Sequence, residues 1–172
     1  VPSLFANGAL PGPLHPSCIG VVDQHPWFAS QQRLTFARAG RIDPVSLTEY
    51  ATLGGLKGIE RALTLSPEAI IDEVIRSGLR GRGGAGFPIG FKLESCKNTA
   101  GDIKFIVCNA DEGDPGAYSD RYLLEERPHA VLLGMITAGY IAGANTGVVY
   151  IRGEYPEAIE ITQKAIDDIR VK

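Results

Sequence analysis

Lys104-Phe105-Ile106-Val107-Cys108-Asn109, then the acidic turn Asp111-Glu112-Gly113-Asp114-Pro115-Gly116, then a long apolar stretch from about His129 to Ala144, then Gly147-Val148-Val149-Tyr150-Ile151-Arg152: this succession decides the fold. The two short runs are rich in β-branched and aromatic residues and are bounded by turn formers, which predicts strands. A short helix capped by Ser119 is expected between the acidic turn and the apolar helix. Pro156 opens a final helix that carries Ala158, Ile161, Ala165, Ile166 and Ile169 roughly on one face. Strand, helix, strand, helix implies a parallel pair joined by a right-handed crossover, hence an α/β class.

Upstream of the first strand the pattern is helical. Ser66 is a good cap, Pro67 suits the first turn, Glu68 favours the positive helix start, and Ile70, Ile71, Val74 and Ile75 recur at helical spacing. Gly78 fits the left-handed residue that ends such a helix. Shorter helices are expected over Ala29 to Arg38, over Pro44 to Ala51 with Asp43 as cap, and over Leu56 to Leu63. The prolines and glycines of residues 1 to about 30 predict an extended arm, with a disordered tail as the alternative. The expected organisation is therefore an arm and short helix over residues 1–40 and a ligand-binding domain over 41–172.

The composition is that of an ordinary globular protein, with 44% hydrophobic and 22% charged residues. A net charge of −3 argues against a general nucleic-acid binder. Cys18, Cys96 and Cys108 have no C-x-x-C spacing, so cysteine pairs cannot build a zinc site or an iron–sulfur cluster here, and a reducing compartment is expected. Cys108, inside an apolar run, is read as a small buried side chain. The apolar stretch to Ala144 is shorter than the roughly 20 residues that span a bilayer. The chain begins with Val1 rather than Met, and is expected to be part of something longer.

Gly81-Arg82-Gly83-Gly84-Ala85-Gly86-Phe87-Pro88 carries the chemistry. It satisfies G-x-G-x-x-G, but a dinucleotide fingerprint follows a strand and opens a helix. Here a helix ends just before it, and Pro88 and Gly90 oppose an immediate helix. The P-loop reading fails because Phe87, not Lys, follows Gly86. Asp102, near the acidic offset of the fingerprint, is a solvated loop residue. Glycines nevertheless let backbone N–H groups approach an anion. Arg76, Arg80, Arg82, Lys92 and Lys97 surround them with positive charge, and Phe87 offers a flat face for stacking. The plainer alternative is a glycine-rich connection with a core phenylalanine.

The acidic turn leaves the C-terminal end of a strand, where ligands of parallel sheets bind. Asp111, Glu112 and Asp114 would repel one another, so they need donors or one must hold a proton. Ribose or ribityl hydroxyls are such donors, and Asn109 can both donate to and accept from a flavin edge. A solvated acidic turn is the alternative. His15, His25 and His129 lack metal-ligand spacing, and no serine has a nucleophile-elbow context.

Together, Gly78 to Pro88, Lys92, Cys108 to Gly116, Arg121 and Tyr150-Ile151-Arg152-Gly153-Glu154-Tyr155 resemble the NADH-binding flavoprotein subunit of respiratory complex I and its relatives in NAD-reducing hydrogenases and NAD-dependent formate dehydrogenases. The resemblance runs from about Arg41 to the end. It implies a Rossmann-like parallel βαβα domain with a glycine-rich loop. It also implies hydride transfer from NADH to FMN, with electrons passed singly to iron–sulfur clusters in a multi-subunit complex, a thioredoxin-like 2Fe–2S subunit among the partners. By motif match, Gly81, Arg82, Gly83, Lys92, Asn109 and Asp111 would hold FMN. Glu112 would lie by flavin and nicotinamide as the catalytic position, and Gly84, Ala85, Phe87 and Asp114 would meet NADH. No side chain here need act as a general acid or base. A bacterial cytoplasmic location, soluble or peripheral to a membrane complex, goes with the resemblance.

Ile89, Phe91, Leu93 and Asp114 depart from the commonest residues of the pattern. The family's later flavin motifs and its cysteine cluster site are not among these residues. Two rivals remain: an ion-pumping electron-transport or cobalamin-reductase relative, which shares Gly-Gly-Ala-Gly-Phe-Pro but carries a different acidic segment, and a non-catalytic assembly domain.

Overall fold

The computed structural model describes Val21 and residues 24–171. The chain divides into two compact units, Val1–Ala37 and Arg38–Lys172. Most of the expected arm lies outside the described residues. Among the described residues of the first unit a short helix, α1 (Pro26–Ala29), is opened by His25, whose Nδ1 accepts from the Trp27 N–H at 3.3 Å. The helix expected over Ala29 to Arg38 is absent. Pro26 starts the helix three residues earlier, and Ser30 closes it by donating its hydroxyl to the Trp27 carbonyl at 3.1 Å.

The second unit runs α2 (Leu47–Thr52), α3 (Lys57–Ala62), α4 (Pro67–Ser77), α5 (Ile89–Asn98), β1 (Phe105–Ala110), α6 (Ser119–Glu126), α7 (Pro128–Ala142), β2 (Thr146–Ile151) and α8 (Pro156–Val171). α2 starts later than Asp43 and Pro44 suggest. The Asp43 side chain is used in a turn, accepting from the Val45 N–H at 3.1 Å, and Ser46 caps the helix through the Glu49 N–H. α4 is bounded as its sequence predicts: Ser66 Oγ accepts from the Ala69 N–H at 3.2 Å, and Gly78 sits at φ 68°.

α5 contradicts one expectation. Pro88 and Gly90 do not delay a helix; it begins at Ile89. Proline fits because its own φ of −61° and missing N–H suit a helix start. Glycine fits because α5 crosses α4 closely: a Cβ on Gly90 would lie 2.4 Å from Ile75 Cγ1 and 3.0 Å from its backbone nitrogen. The glycine loop thus opens a helix after all, but it still follows a helix rather than a strand, so it is not a Rossmann fingerprint.

β1 and β2 pair in parallel, Phe105 with Thr146 through Ala110 with Ile151. The face carrying Ile106, Cys108 and Ala110 turns inward, with Cys108 half-buried rather than enclosed, while Phe105, Val107, Val148 and Tyr150 remain exposed on the other face. α7 is the organising element. It packs against both strands and against α3, α4, α5, α6 and α8.

Two apolar clusters result. Ala62, Ile70, Ile71 and Ile141 join the helical half, with Leu65, Val74 and Leu93 against them. Ala110, Leu124, Tyr155 and Ala158 join the sheet to α6 and α8. Each buried isoleucine or leucine contributes roughly 1.5–3 kcal/mol. No helix among the described residues is long and apolar enough to cross a membrane.

Candidate functional site

The glycine loop is closed only at its neck. The Gly81 N–H donates to the Phe87 carbonyl at 2.8 Å, the Ile89 N–H to the Leu79 carbonyl at 3.0 Å, and Arg80 Nη1 to the Gly86 carbonyl at 2.9 Å. Beyond that neck Arg82, Gly83, Gly84 and Ala85 are exposed. Gly84 and Gly86 take φ of 106° and 61°, conformations that L side chains rarely adopt. A Cβ on Gly83, Gly84 or Gly86 would meet nothing within 4 Å, so space as well as backbone is open there.

α5 follows directly, and no side chain caps its first turn. Lys92 lies on that turn. The positive rim is smaller than the sequence suggests. Lys97 is paired with Glu68 at 2.7 Å, Arg76 bonds to the Asp72 carbonyl, and Arg80 is turned onto the loop itself. Among the described residues Arg82 and Lys92 have no ion-pair partner. Phe87 is 54% exposed, so it is not a core phenylalanine.

The acidic turn is built differently. Asn109 Oδ1 accepts from the Asp111 N–H at 3.1 Å, and the Ala117 N–H closes onto the Asp114 carbonyl at 3.1 Å. Glu112 sits at φ 45°, and no other non-glycine residue among those described has a positive φ. Its carboxylate caps α6, accepting from the Asp120 N–H at 2.8 Å, the Arg121 N–H at 2.9 Å and the Ser119 hydroxyl at 3.3 Å. Ser119 is therefore a donor to the cap and not the cap itself: a carboxylate answers the orphan N–H groups and the positive helix end better than a hydroxyl. The Tyr155 hydroxyl lies 3.4 Å from the same carboxylate, and Arg152 Nη1 donates to the Glu112 carbonyl at 2.9 Å.

Burial pushes the Glu112 carboxyl up, but these donors outweigh it and hold the group below the usual carboxylate range. Asp120 moves the other way, raised by burial and then by the Glu112 charge. Of the three acids in the turn, the central one thus finds its donors inside the protein. Asp111 and Asp114 make no ion pair among the described residues.

The candidate residues form two groups. Gly81, Arg82, Gly83, Gly84, Ala85, Phe87 and Lys92 belong to the loop and the first turn of α5. Asn109, Asp111, Glu112 and Asp114 lie at the end of β1. Among the described residues no hydrogen bond or ion pair joins the groups. Arg152 and Tyr155 complete the second one, a role that their motif alone did not assign. The signal available was topological: in a parallel pair the segments leaving both strands emerge at one edge, and Ala110 pairs with Ile151.

Residues 74–172 match the family model described as the Nuo51 FMN-binding domain. The chain belongs to this FMN-binding family. Among its relatives, the NADP-reducing hydrogenase subunit HndC of Solidesulfovibrio fructosivorans is 50% identical over 140 residues, covering 81% of this chain and 28% of the relative. The F subunit of the NADH-quinone oxidoreductase of Aquifex aeolicus is 46% identical over 127 residues, 74% of this chain and 30% of that one. A solved NAD+-reducing NiFe-hydrogenase in the H2-reduced state superposes with a TM-score of 0.62 at 34% identity, over 86% of this chain and 25% of that one. The chain therefore spans less than a third of these relatives' lengths. The local chemistry fits the family's cofactor: an uncapped helix start behind open glycines, flanked by two cations free of ion pairs, suits a flavin phosphate.

Proposed function

We propose that this chain is the front part of an NADH:acceptor oxidoreductase flavoprotein subunit. The observation that supports this most directly is the glycine loop, which leaves backbone N–H groups, Arg82 and Lys92 without acceptors among the described residues. Gly81, Arg82, Gly83 and Lys92 hold the phosphate end of FMN, where Lys92 supplies a charge-assisted contact. Asn109 and Asp111 hold the flavin and its hydroxyls. Glu112, with its carboxylate committed to α6, shapes the turn beside flavin and nicotinamide. Gly84, Ala85, Phe87 and Asp114 receive NADH, with Phe87 as the stacking face. Held by these residues, FMN would supply the chemistry, hydride acceptance from the nicotinamide and release of single electrons. The protein supplies position and charge, and no side chain of this chain is assigned a proton transfer.

The electrons pass to or from iron–sulfur clusters, carried by the rest of the subunit and by partners in a multi-subunit complex, a thioredoxin-like 2Fe–2S subunit among them. The expected place is the bacterial cytoplasm, soluble or peripheral to a membrane complex.

Anaerobic visible spectroscopy of the full-length subunit tests the reading. The expected result is a flavin band that bleaches on mixing with NADH. Bound flavin that ignores NADH favours a differently coupled relative, and absence of flavin refutes the assignment. The same titration with NADPH decides the nucleotide, since relatives named for each are similar to this chain.

A further inference from the structure

We infer that Arg152 is a positioning residue for the flavin and nicotinamide site, acting through the main chain of Glu112. This rests on the proposed function above. Arg152 is the first residue after β2, and Glu112 the second after β1; the pairing of Ala110 with Ile151 brings both to one edge of the sheet. One arm of the guanidinium, Nη1, donates to the Glu112 carbonyl at 2.9 Å. The other, Nη2, donates to Glu154 at 2.8 Å. The plane lies over the Tyr155 ring, 5.4 Å from its centre, and the Tyr155 hydroxyl in turn reaches the Glu112 carboxylate at 3.4 Å.

The target of this clamp is unusual. An arginine that merely tied the β2–α8 turn would be satisfied by Glu154. Here one arm is spent on a peptide oxygen, that of the one described non-glycine residue in the left-handed region. Such a conformation persists only where its surroundings over-determine it. Glu112 is held at three points: its carboxylate by the start of α6, its carboxylate edge by Tyr155, and its carbonyl by Arg152. The peptide orientation at Glu112 sets the directions of Asp111 before it and Asp114 after it, the two acids that the proposed function assigns to flavin and nucleotide. Asp111 in turn lies close enough for its charge to favour the Arg152 guanidinium, after the larger contribution of Glu154. A lysine can supply the charge, but not the fork that holds a carbonyl and covers a ring together.

The test uses the full-length subunit in its complex, with Arg152→Met, Arg152→Lys and Tyr155→Phe. Four properties are read: thermal midpoint, FMN per subunit, circular dichroism of the bound flavin in the visible, and the rate of flavin bleaching per bound FMN at saturating and limiting NADH. Arg152→Met is expected to slow bleaching at least tenfold at limiting NADH and to change the flavin dichroism. Arg152→Lys should recover part of the rate, remaining about threefold slow. Tyr155→Phe should fall between Arg152→Lys and the parent. An Arg152→Met protein of lower thermal midpoint but unchanged dichroism and bleaching per flavin would overturn the inference, because the arginine would then serve the fold alone. If Arg152→Met does not fold, Arg152→Lys decides by the same two readouts. A parent protein that holds no flavin, or whose flavin ignores NADH, sinks the proposed function and this inference with it; an active parent with unaffected variants sinks only the inference.

Discussion

Between Gly81 and Phe87 the chain is tied at its neck and nowhere else, whereas between Asp111 and Gly116 the central residue is fastened through both its side chain and its carbonyl. The loop is made of backbone with open space around it and two cations that have no ion-pair partner among the described residues. The turn is centred on Glu112, whose carboxylate and carbonyl have found their partners in α6 and behind β2. In the loop, the ordering of N–H groups and charges is left to the ligand. In the turn, folding has already done it. Substitutions in the loop should therefore change binding and leave stability alone, while substitutions in the turn should change stability first.

The largest effect is expected at Lys92. Lys92→Ala removes one charge-assisted phosphate contact and should weaken FMN binding by roughly 1.5–3 kcal/mol. Because Lys92 is exposed and makes no ion pair, the urea midpoint of the apoprotein should hardly move. Flavin titration by fluorescence quenching beside a urea melt gives both numbers. Equal flavin affinity, or a large loss of stability, would break the contrast on the loop side.

Glu112→Ala should do the reverse. Two α6 N–H groups and one hydroxyl lose their acceptor, at a cost of about 1–2.5 kcal/mol, read from chemical denaturation. Glu112→Gly separates two contributions, since it also loses the cap but relaxes the left-handed backbone, and it should be less damaging than alanine by roughly 0.5–1 kcal/mol. If alanine and glycine are equal, the positive φ carries no strain and the turn is less constrained than its geometry suggests.

How far the sequence allowed this contrast to be foreseen differs between the regions. α4 was legible at both ends because Ser66, Pro67 and Gly78 act locally, each through its own backbone preference. The parallel pair was legible because strand, helix and strand succeed one another within one stretch. Loop and turn were found as candidate ligand segments, since glycine runs and clustered acids are local too. What failed was long-range. Gly90 read as a helix breaker until Ile75, a residue of another helix, showed why glycine was needed. Ser119 read as a cap because the true cap, Glu112, lies seven residues away. Arg152 had no assigned role because its partner Glu112 is forty residues distant. Lys97 read as part of a cationic rim until Glu68 was found beside it.

A smaller effect is expected at Phe87. Phe87→Ala should weaken NADH by roughly 0.5–1.5 kcal/mol and FMN by less, with stability unchanged because more than half of the ring is already exposed. Isothermal titration of both ligands against the full-length subunit measures the order. FMN weakened more than NADH would move Phe87 from the nucleotide to the flavin.

The smallest effect, and the sharpest, is in acid. The Glu112 carboxyl is held below its ordinary value, so its contribution to stability is present above the unfolded value of about 4.3 and is lost as pH falls through the lower folded value. Asp120 is raised by burial and by Glu112, so it acts in the opposite sense: ionised, it costs stability, and acidification towards the unfolded value of about 3.9 relieves that cost. The two slopes oppose one another in nearly the same window, and the parent protein should show little net dependence from this pair. Glu68 and Glu154, each held at about 2 by its bonds to Lys97 and Arg152 respectively, lose their own contribution as pH falls from the unfolded value of about 4.3 towards 2, in parent and variants alike, so the comparison belongs between variants. Asp120→Asn removes the compensating slope, and the urea midpoint should then fall more steeply between about pH 5 and 3 than in the parent. Glu112→Gln removes the other slope, and the urea midpoint should then fall less steeply over the same window than in the parent. Identical profiles for the two variants would mean that the Glu112 carboxylate does not hold α6 in solution, and the turn would then be as open as the loop.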